Sequence, residues 1–405
     1  MRTRYGISPW ISLHPETIRP EFPRAKGALE AEVVVIGGGI TGCAIAHALA
    51  TSGHDTLLLD AGRVGQSGSG RSAGLVLTEP GAGFKEITAR QGLKAARLVF
   101  AAWEQAAEQA VSILKSRKAS CPLEPQRVIV AGVDGGDKAL RREHDARQAA
   151  GLDSTWLDAA QVVRQTRVPA ECGLRLPGGV ALSPYRAALG LLASAPKKHL
   201  RVCEKSAVSA VTTGKSGVTV KAGSATVTAQ MVVVATGTPT APFTALQRHF
   251  KLRERYLVLT EPLTDGQRKG ALPSGVALLD THAPSHLLRW TPDGRLLLSG
   301  GEQDQTPPAS RDAIRIQRTG QLMYELLLRY PSISGLRPEF GWEAVTARTP
   351  DGLPCIGAHG HFQRHLFAMG GEGDSLTGAF VAADLILRAV EGRTTKADAV
   401  FGWGR

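Results

Sequence analysis

The stretch AEVVVIGGGITG, residues 31–42, constrains this chain more than any other. Four apolar residues, Val33 to Ile36, run into the spacing Gly37-x-Gly39-x-x-Gly42. Ile40 and Thr41 then open a small-residue amphipathic segment that reaches Gly53. A second apolar run, TLLLDAG, ends in Asp60 and Ala61. The pattern reads strand, glycine turn, helix, strand, acid. Each part has a job around a dinucleotide pyrophosphate. Gly37 makes the tight turn, Gly39 lets backbone approach phosphate, and Gly42 lets the helix lie close on the strand. The helix N-terminus offers unpaired N–H groups and the positive end of its dipole. Asp60 follows Gly42 by 18 residues, near the roughly 20 expected of an acid that bonds a ribose hydroxyl. The motif alone leaves NAD and FAD open. Residues 33–54 carry no charge when His is neutral, but three consecutive glycines and a strand-type valine run argue against a membrane helix.

At 405 residues the chain can hold two domains or one large composite. The first 30 residues carry Pro15, Pro20 and Pro23 and no long apolar run. They read as a surface arm of a cytoplasmic protein without a signal-peptide core. Five scattered cysteines with no CxxC pair argue against a disulfide framework or a zinc site. The net charge of +12 fits either attraction to an anionic partner or compensation for a dianionic cofactor. No dense Lys/Arg run interleaved with aromatics is present, which argues against nucleic acid as a partner. His282 and His286 have a metal-like spacing, but Pro284 lies between them and no acid stands nearby in sequence, so they read as a surface loop. His359, His361 and His365 read as decoration of a turn.

Periodicity predicts a long helix from about Lys85 to Lys118, a strand at 127–132, helices at 138–150 and 158–166, and a helix after the anchoring Pro184. From Leu200 the pattern turns to β, ending in the run VVVATG, which reads as a buried parallel strand that stops at a ligand. Further strands are expected at 252–260, 286–290 and 295–299, and a helix at 311–329. After the strand LFAM come the glycine run GGEGDS and a last helix from about Leu376 to Val390.

Four blocks then point together: VVVIGGGITG with LLLDAG; SGSGRSAG; VVVATG; and Trp342 and Asp351 of the W-x8-DGLPCIG phrase followed by FAMGGEGDSLTGAF. In these blocks the chain resembles the D-amino-acid-oxidase-like FAD amine oxidoreductases, a group that includes glycine oxidase, sarcosine oxidase and γ-glutamylputrescine oxidase. The resemblance runs from residue 30 nearly to the end. It implies an α/β fold: a FAD-binding, Rossmann-like βαβ domain (31–85, 183–240 and 345–405) after an arm at 1–30. A smaller α+β substrate domain with an antiparallel sheet (86–182 and 241–344) is interleaved with it. It implies FAD, with Asp60 on the adenosine ribose, Gly37, Gly39 and Gly42 at the pyrophosphate, and the Val208 backbone at the adenine edge. Ala235, Thr236 and Gly237 would cover the ADP half, and Ser69, Gly70, Arg71 and Ser72 would run along the flavin. The amides of Gly373, Asp374, Ser375 and Leu376 would face the flavin N1–C2=O edge, where helix N-terminal donors stabilise the reduced anion. Asp374 and Ser375 are also good helix caps.

The departures from the family pattern are informative. Relatives carry an Arg for the substrate carboxylate where this chain has Thr346, with Arg348 two residues on and on the same strand face. The phrase LLRWTPDGRLLLSGG resembles the γ-glutamylputrescine-oxidase type. Leu298 sits near the place of an oxygen-activating lysine. The positions of covalent flavin attachment align with Ala344 and Arg71, and Cys355 is out of place for it, so the FAD is expected to be non-covalent. Tyr256, Trp290 and Trp342 are candidate walls of an amine pocket, with ordinary core packing as the alternative. The expected reaction is oxidation of a C–N bond in a primary or secondary amine, by hydride transfer to flavin N5 and hydrolysis of the imine. Oxygen or another acceptor takes the electrons. The alternatives are a dehydrogenase of the same fold, and a flavoprotein module of a multi-component assembly such as a tRNA-modifying one.

Overall fold

In the computed structural model, residues 2–133, 135–371 and 374–405 are described. Strand Lys26–Ile36 lies at the centre of one sheet, in the order Cys355–Ala358, His365–Met369, Ser224–Gly237, Lys26–Ile36, Thr56–Leu59, Leu200–Cys203. All neighbours are parallel except the Cys355–Ala358 edge strand. A parallel strand is covered on both sides, and its residues divide accordingly. Val33 and Val35 join the core beneath helices Ile40–Thr51, Leu93–Leu114, Pro184–Ser194 and Thr377–Val390, whereas Val34 and Ile36 join the opposite core. That second core is closed by the antiparallel strands Val208–Thr213 and Val218–Ala222 and by Phe243 and Leu246.

The second sheet is mixed and larger. Its order is Arg4–Tyr5, Pro338–Arg348, Lys251–Thr260, Leu296–Asp304, Leu287–Trp290, Val276–Asp280, Glu124–Gly132, Cys172–Ala181, Leu75–Leu77, with Thr155–Asp158 beside Cys172–Ala181. Helix Arg311–Arg329 covers one face through Leu322 and Leu326 against Tyr256, Val258 and Leu298. The other face presents Leu257, Leu259, Leu297, Phe340 and Trp342 to Ala73 and Leu75, at the end of the glycine-rich segment 62–74. The fold is thus α/β, with a Rossmann-like parallel sheet and a mixed, mainly antiparallel one.

Several expectations change. The long helix is two, Phe84–Gln91 and Leu93–Leu114, because Gly92 between them takes φ 88°, a conformation that suits glycine and interrupts helical hydrogen bonding. Helix Leu93–Leu114 lies in the span expected for the substrate domain. Its Val99, Phe100, Trp103 and Ala110 pack instead in the parallel-sheet core. Strand Leu75–Leu77, grouped with the FAD domain, belongs to the mixed sheet. The arm is not free either: Arg4–Tyr5 pairs with Phe340 and Gly341, and the Trp10 indole N–H donates to the Ser72 carbonyl at 2.9 Å. Strand Lys26–Ile36 begins inside it. Among the described residues, no helix is long and apolar enough to cross a membrane.

Candidate active site

The glycine turn sits at the carboxyl ends of the parallel strands, where α/β sheets bind ligands. Gly37 has φ 110°, and a Cβ there would lie 2.5 Å from the Ala235 carbonyl oxygen. A Cβ on Gly42 would lie 1.7 Å from the Gly37 carbonyl oxygen. Gly39 is the N-cap of helix Ile40–Thr51 and supplies no side-chain cap, so Thr41 and Gly42 keep their first-turn amides for a ligand. The Ile40 amide donates to Ser69 Oγ at 2.9 Å, which draws the SGSGRS loop over the helix end. Asp60 is 9% exposed. Its two carboxylate oxygens accept from the Gly38 and Gly62 amides, each at 2.7 Å. Each oxygen retains lone-pair capacity for a further donor such as a ribose hydroxyl.

Ala61 follows Asp60 into this turn, and the Lys205 and Ser206 amides close it by donating to the Gly62 and Asp60 carbonyls, both at 2.8 Å. Val208 begins the next strand two residues on. Ala235 backs Gly37, Thr236 Oγ1 donates to the Thr238 carbonyl at 2.8 Å, and Gly237 turns the chain at φ 74°. Gly70 packs against the Gly65 carbonyl, where a Cβ would be 2.0 Å away. Among the described residues, Ser72 Oγ is buried without a hydrogen-bond partner. An orphaned hydroxyl beside a cradle that side chains would fill, at an uncapped helix N-terminus, fits an elongated polar cofactor. Within the expected flavin-side run, one side chain departs. Arg71 turns away, to the Glu343 carboxylate at 3.2 Å and to the carbonyls of Glu343 and Gly6.

At the last helix the expectation is partly overturned. Gly373 lies outside the described residues. Leu376 is the N-cap, Ser375 Oγ accepts from the Thr377 amide at 3.4 Å, and the Leu376 amide donates to the Leu75 carbonyl at 2.7 Å. It is therefore spent on the inter-sheet bridge. Among the described residues, the Asp374 carboxylate caps no helix amide. It ion-pairs with Arg255 Nε at 2.7 Å and accepts from Ser299 Oγ at 3.0 Å.

Arg255 was not legible as a site residue. It stands on strand Lys251–Thr260, whose register sets Arg255 opposite Ala344, Arg253 opposite Thr346 and Lys251 opposite Arg348. Directly opposed side chains share a face, so these six residues line the sheet surface that also carries Trp342 and Leu257. Arg348 does share the face of Thr346, as expected, but its Nη2 donates to Glu302 Oε2 at 2.6 Å. Glu302 also takes Arg253 Nε at 3.3 Å and lies 3.6 Å from Arg255 Nη1. Among the described residues, Thr346 Oγ1 and Arg348 Nε are buried without partners. Around them a cleft of about 450 Å³ opens between Arg248, Lys251, Arg253, Glu302 and Arg348.

Of the three candidate aromatic walls, Tyr256 and Trp342 are core residues and Trp290 is half-buried at the margin of the core. Tyr256 is 1% exposed on the opposite sheet face and donates to Glu254 Oε2 at 3.0 Å; burial pushes its hydroxyl up to about 12. The Trp290 indole donates to the Leu272 carbonyl at 2.7 Å, and the Trp342 indole to the Arg71 carbonyl at 2.7 Å. Trp342, opposite Leu257, lies on the Thr346 face, whereas Tyr256 lies on the other. Leu298 likewise points into the core beneath helix Arg311–Arg329, on the face opposite Ser299. Arg289, buried within LLRW, donates to the Ala73 carbonyl at 2.7 Å and fixes the turn at Gly74; burial pulls its guanidinium down to about 10. The five cysteines are free and buried. Ala344 has no nucleophile, and burial pushes the Cys355 thiol up.

His282 and His286 also differ from the surface-loop reading. His286 is buried and meets Asp280 at 2.9 Å and Glu325 at 2.9 Å, so an acid does stand beside them. Asp280, His282 and His286 cluster as metal ligands could. However, Arg329 Nη2 already occupies that centre, 2.6 Å from Asp280 Oδ2 and 3.0 Å from His286 Nδ1. His359 and His365 are buried among Phe243, Phe362 and Phe367, which lowers both their pKa values. Burial alone would raise the Asp280 carboxyl. The His286 bonds and the His286 and Arg329 charges outweigh burial and hold it well below its ordinary 3.8. This network therefore contributes stability that is complete above that ordinary value and is lost as pH falls through the lower folded-state value. Asp280→Asn should lower Tm at neutral pH, with the gap to wild type narrowing in acid below the ordinary carboxylate range. A gap independent of pH would contradict this.

A glycine cradle on a parallel sheet, faced by a charged mixed sheet, defines a dinucleotide-binding oxidoreductase. The family model described as FAD dependent oxidoreductase (DAO) matches residues 32–389, and the chain belongs to that family. It is 25% identical to γ-glutamylputrescine oxidoreductase of Escherichia coli K12, over 93% of this chain and 88% of that one. It is 24% identical to glycine oxidase of Bacillus licheniformis, over 84% and 87%. Among solved structures it superposes on glycine oxidase from Geobacillus kaustophilus with a TM-score of 0.75 at 18% identity, covering 93% and 99%. It is an enzyme of FAD-dependent oxidation.

Proposed function

We propose that the enzyme oxidises the C–N bond of a primary or secondary amine that lacks a carboxylate on the reacting carbon. The observation that carries this reading is Thr346. A neutral, unpaired hydroxyl stands where the family's carboxylate-binding arginine would be, and the nearby Arg348 guanidinium is held by Glu302. A charge-assisted, bidentate Arg–carboxylate contact is stronger than a neutral hydrogen bond, so small α-amino acids lose their main anchor here. The name of the Escherichia coli relative, γ-glutamylputrescine oxidoreductase, is in keeping with an amine.

FAD, bound without a covalent link, supplies the two-electron acceptor. Gly37, Gly39, Gly42, Asp60, Ser69, Ser72 and Val208 would hold its ADP side and the start of the flavin. Leu75 and the Asp374–Ser375 segment bring the two sheets together beside it. Ser299 and Arg255 hold the Asp374 carboxylate, and the apolar face of Leu257, Leu297 and Trp342 excludes water. Orientation and exclusion of water are this chain's contribution.

The test is anaerobic bleaching of the flavin by glycine, sarcosine, D-alanine and amines without an adjacent carboxylate, in wild type and Arg348→Ala. Amines should reduce the flavin with the higher kcat/KM. Preference for a small α-amino acid in wild type, lost selectively in Arg348→Ala, would show that the clamp has moved to Arg348. Re-oxidation in air then separates an oxidase from a dehydrogenase. Acid precipitation should release intact FAD into the supernatant, since neither Ala344 nor Arg71 can form the link; flavin retained in the pellet would contradict this.

A further inference from the structure

The cleft beside Thr346 has a charge balance that an amine alone does not explain. Arg248, Lys251, Arg253 and Arg348 line it against one acid, Glu302. Asp304, at its edge, pairs with Lys251 at 3.1 Å and with Arg253. Among the described residues, Arg248 pairs with no carboxylate, and Arg348 Nε is buried with no acceptor at all. A bare ammonium would be repelled here. Arg348 is paired through Nη2 with Glu302, so the unmet capacity is one N–H together with the excess of cations over acids, and both favour an anionic guest over a cationic one.

We propose that this cleft is a subsite for a carboxylate carried by the amine substrate at the end remote from the carbon that is oxidised. Glu302 shows the chemistry: its own carboxylate is gripped by Arg348 at 2.6 Å and Arg253 at 3.3 Å, as a guest's would be. The subsite is joined to the flavin side by the relay Arg348, Glu302, Arg255, Asp374. It therefore lies outward of Thr346, displaced along the strand from where an α-carboxylate would bind. The inference rests on the amine reading above and narrows it to amino acids whose acid and amine are separated by several bonds. Free polyamines are then poor substrates.

The probes are δ-aminovalerate, its amide and cadaverine, which end one five-carbon amine chain in a carboxylate, a neutral group and an ammonium. Binding to the anaerobic holoenzyme is read by calorimetry and by perturbation of the flavin spectrum, and turnover by flavin bleaching. δ-Aminovalerate should bind about ten- to a hundredfold more tightly than its amide, the range of a charge-assisted pair, with cadaverine weakest. Arg348→Gln and Arg253→Gln should erase the difference mainly through KM, and Arg348→Lys should restore part of it. Glu302→Gln, which releases Arg348 from its internal partner, should tighten carboxylate binding, so the idea remains testable if an arginine variant fails to fold. Equal binding of acid and amide, or a preference untouched by Arg348→Gln, Arg253→Gln and Glu302→Gln alike, overturns the subsite. So does acetate or inorganic phosphate binding as tightly as δ-aminovalerate, which would mark a site for a free anion. Tight, Arg348-dependent binding without flavin bleaching by any amine would keep the subsite and overturn the amine-oxidation reading.

Discussion

Gly42→Val is expected to yield protein with no FAD. Even the first added carbon would sit 1.7 Å from the Gly37 carbonyl oxygen, a backbone atom that cannot swing aside, so the strand, turn and helix cannot close together. Gly39→Val separates cofactor loss from fold loss. There a Cβ would be 3.1 Å from Ser69 Oγ, and a hydroxyl at the end of a side chain can shift. The remaining branches would fill the space in front of the uncapped helix N-terminus that phosphate needs. Both variants are checked by the flavin-to-protein absorbance ratio, with far-ultraviolet circular dichroism for the fold. Gly39→Val should be folded and colourless; a folded, fully yellow protein would place the pyrophosphate elsewhere.

The second large effect belongs to Arg255. This arginine is 5% exposed. It holds Asp374 at 2.7 Å, Ser299 Oγ at 2.7 Å and the Ser285 carbonyl at 2.7 Å. Arg255→Met keeps most of the length and leaves the Asp374 carboxylate without its countercharge. Breaking one partner of a buried pair costs about 3–5 kcal/mol, a large share of the roughly 5–15 kcal/mol that holds a domain folded. The pair also ties the mixed sheet to the approach to helix Thr377–Val390, so FAD retention should fall with stability. Denaturant unfolding of wild type, Arg255→Met and Arg255→Met/Asp374→Asn is the measurement. The double variant should recover part of the loss, because the unpaired charge has been removed. A single variant as stable as wild type would mean that the pair contributes nothing.

The same residues show where sequence reading succeeds and stops. The glycine spacing, the valine run and Asp60 were legible because local sterics dictate them. A turn with φ 110° at Gly37 and a helix packed on its own strand tolerate no other residue, whatever the rest of the chain does. The break at Gly92 was equally local, but a helical pattern on both sides concealed it. The helix over 311–329 was found at its full extent, since one apolar stripe facing one sheet gives a clear period.

The substrate side was harder to read because strand register decides it. Thr346 and Arg348 could be placed on one face from alternation alone. That Arg253 and Arg255 share this face, and that Glu302 lies between them, depends on pairings between strands some 90 positions apart in sequence and on a third strand across the sheet. Trp290, Trp342 and Tyr256 looked like pocket walls because aromatic type says nothing of facing; packing sent each indole or hydroxyl to a buried partner. Asp374 looked like a cap because sequence places it beside a helix start, while the ion pair that claims it comes from the other sheet. The sequence by itself determined the dinucleotide cradle and the family, whose interactions lie within short stretches of chain. Tertiary structure alone decided which charges meet at the substrate face, since buried ionic groups are placed by their partners and those partners are distant in sequence.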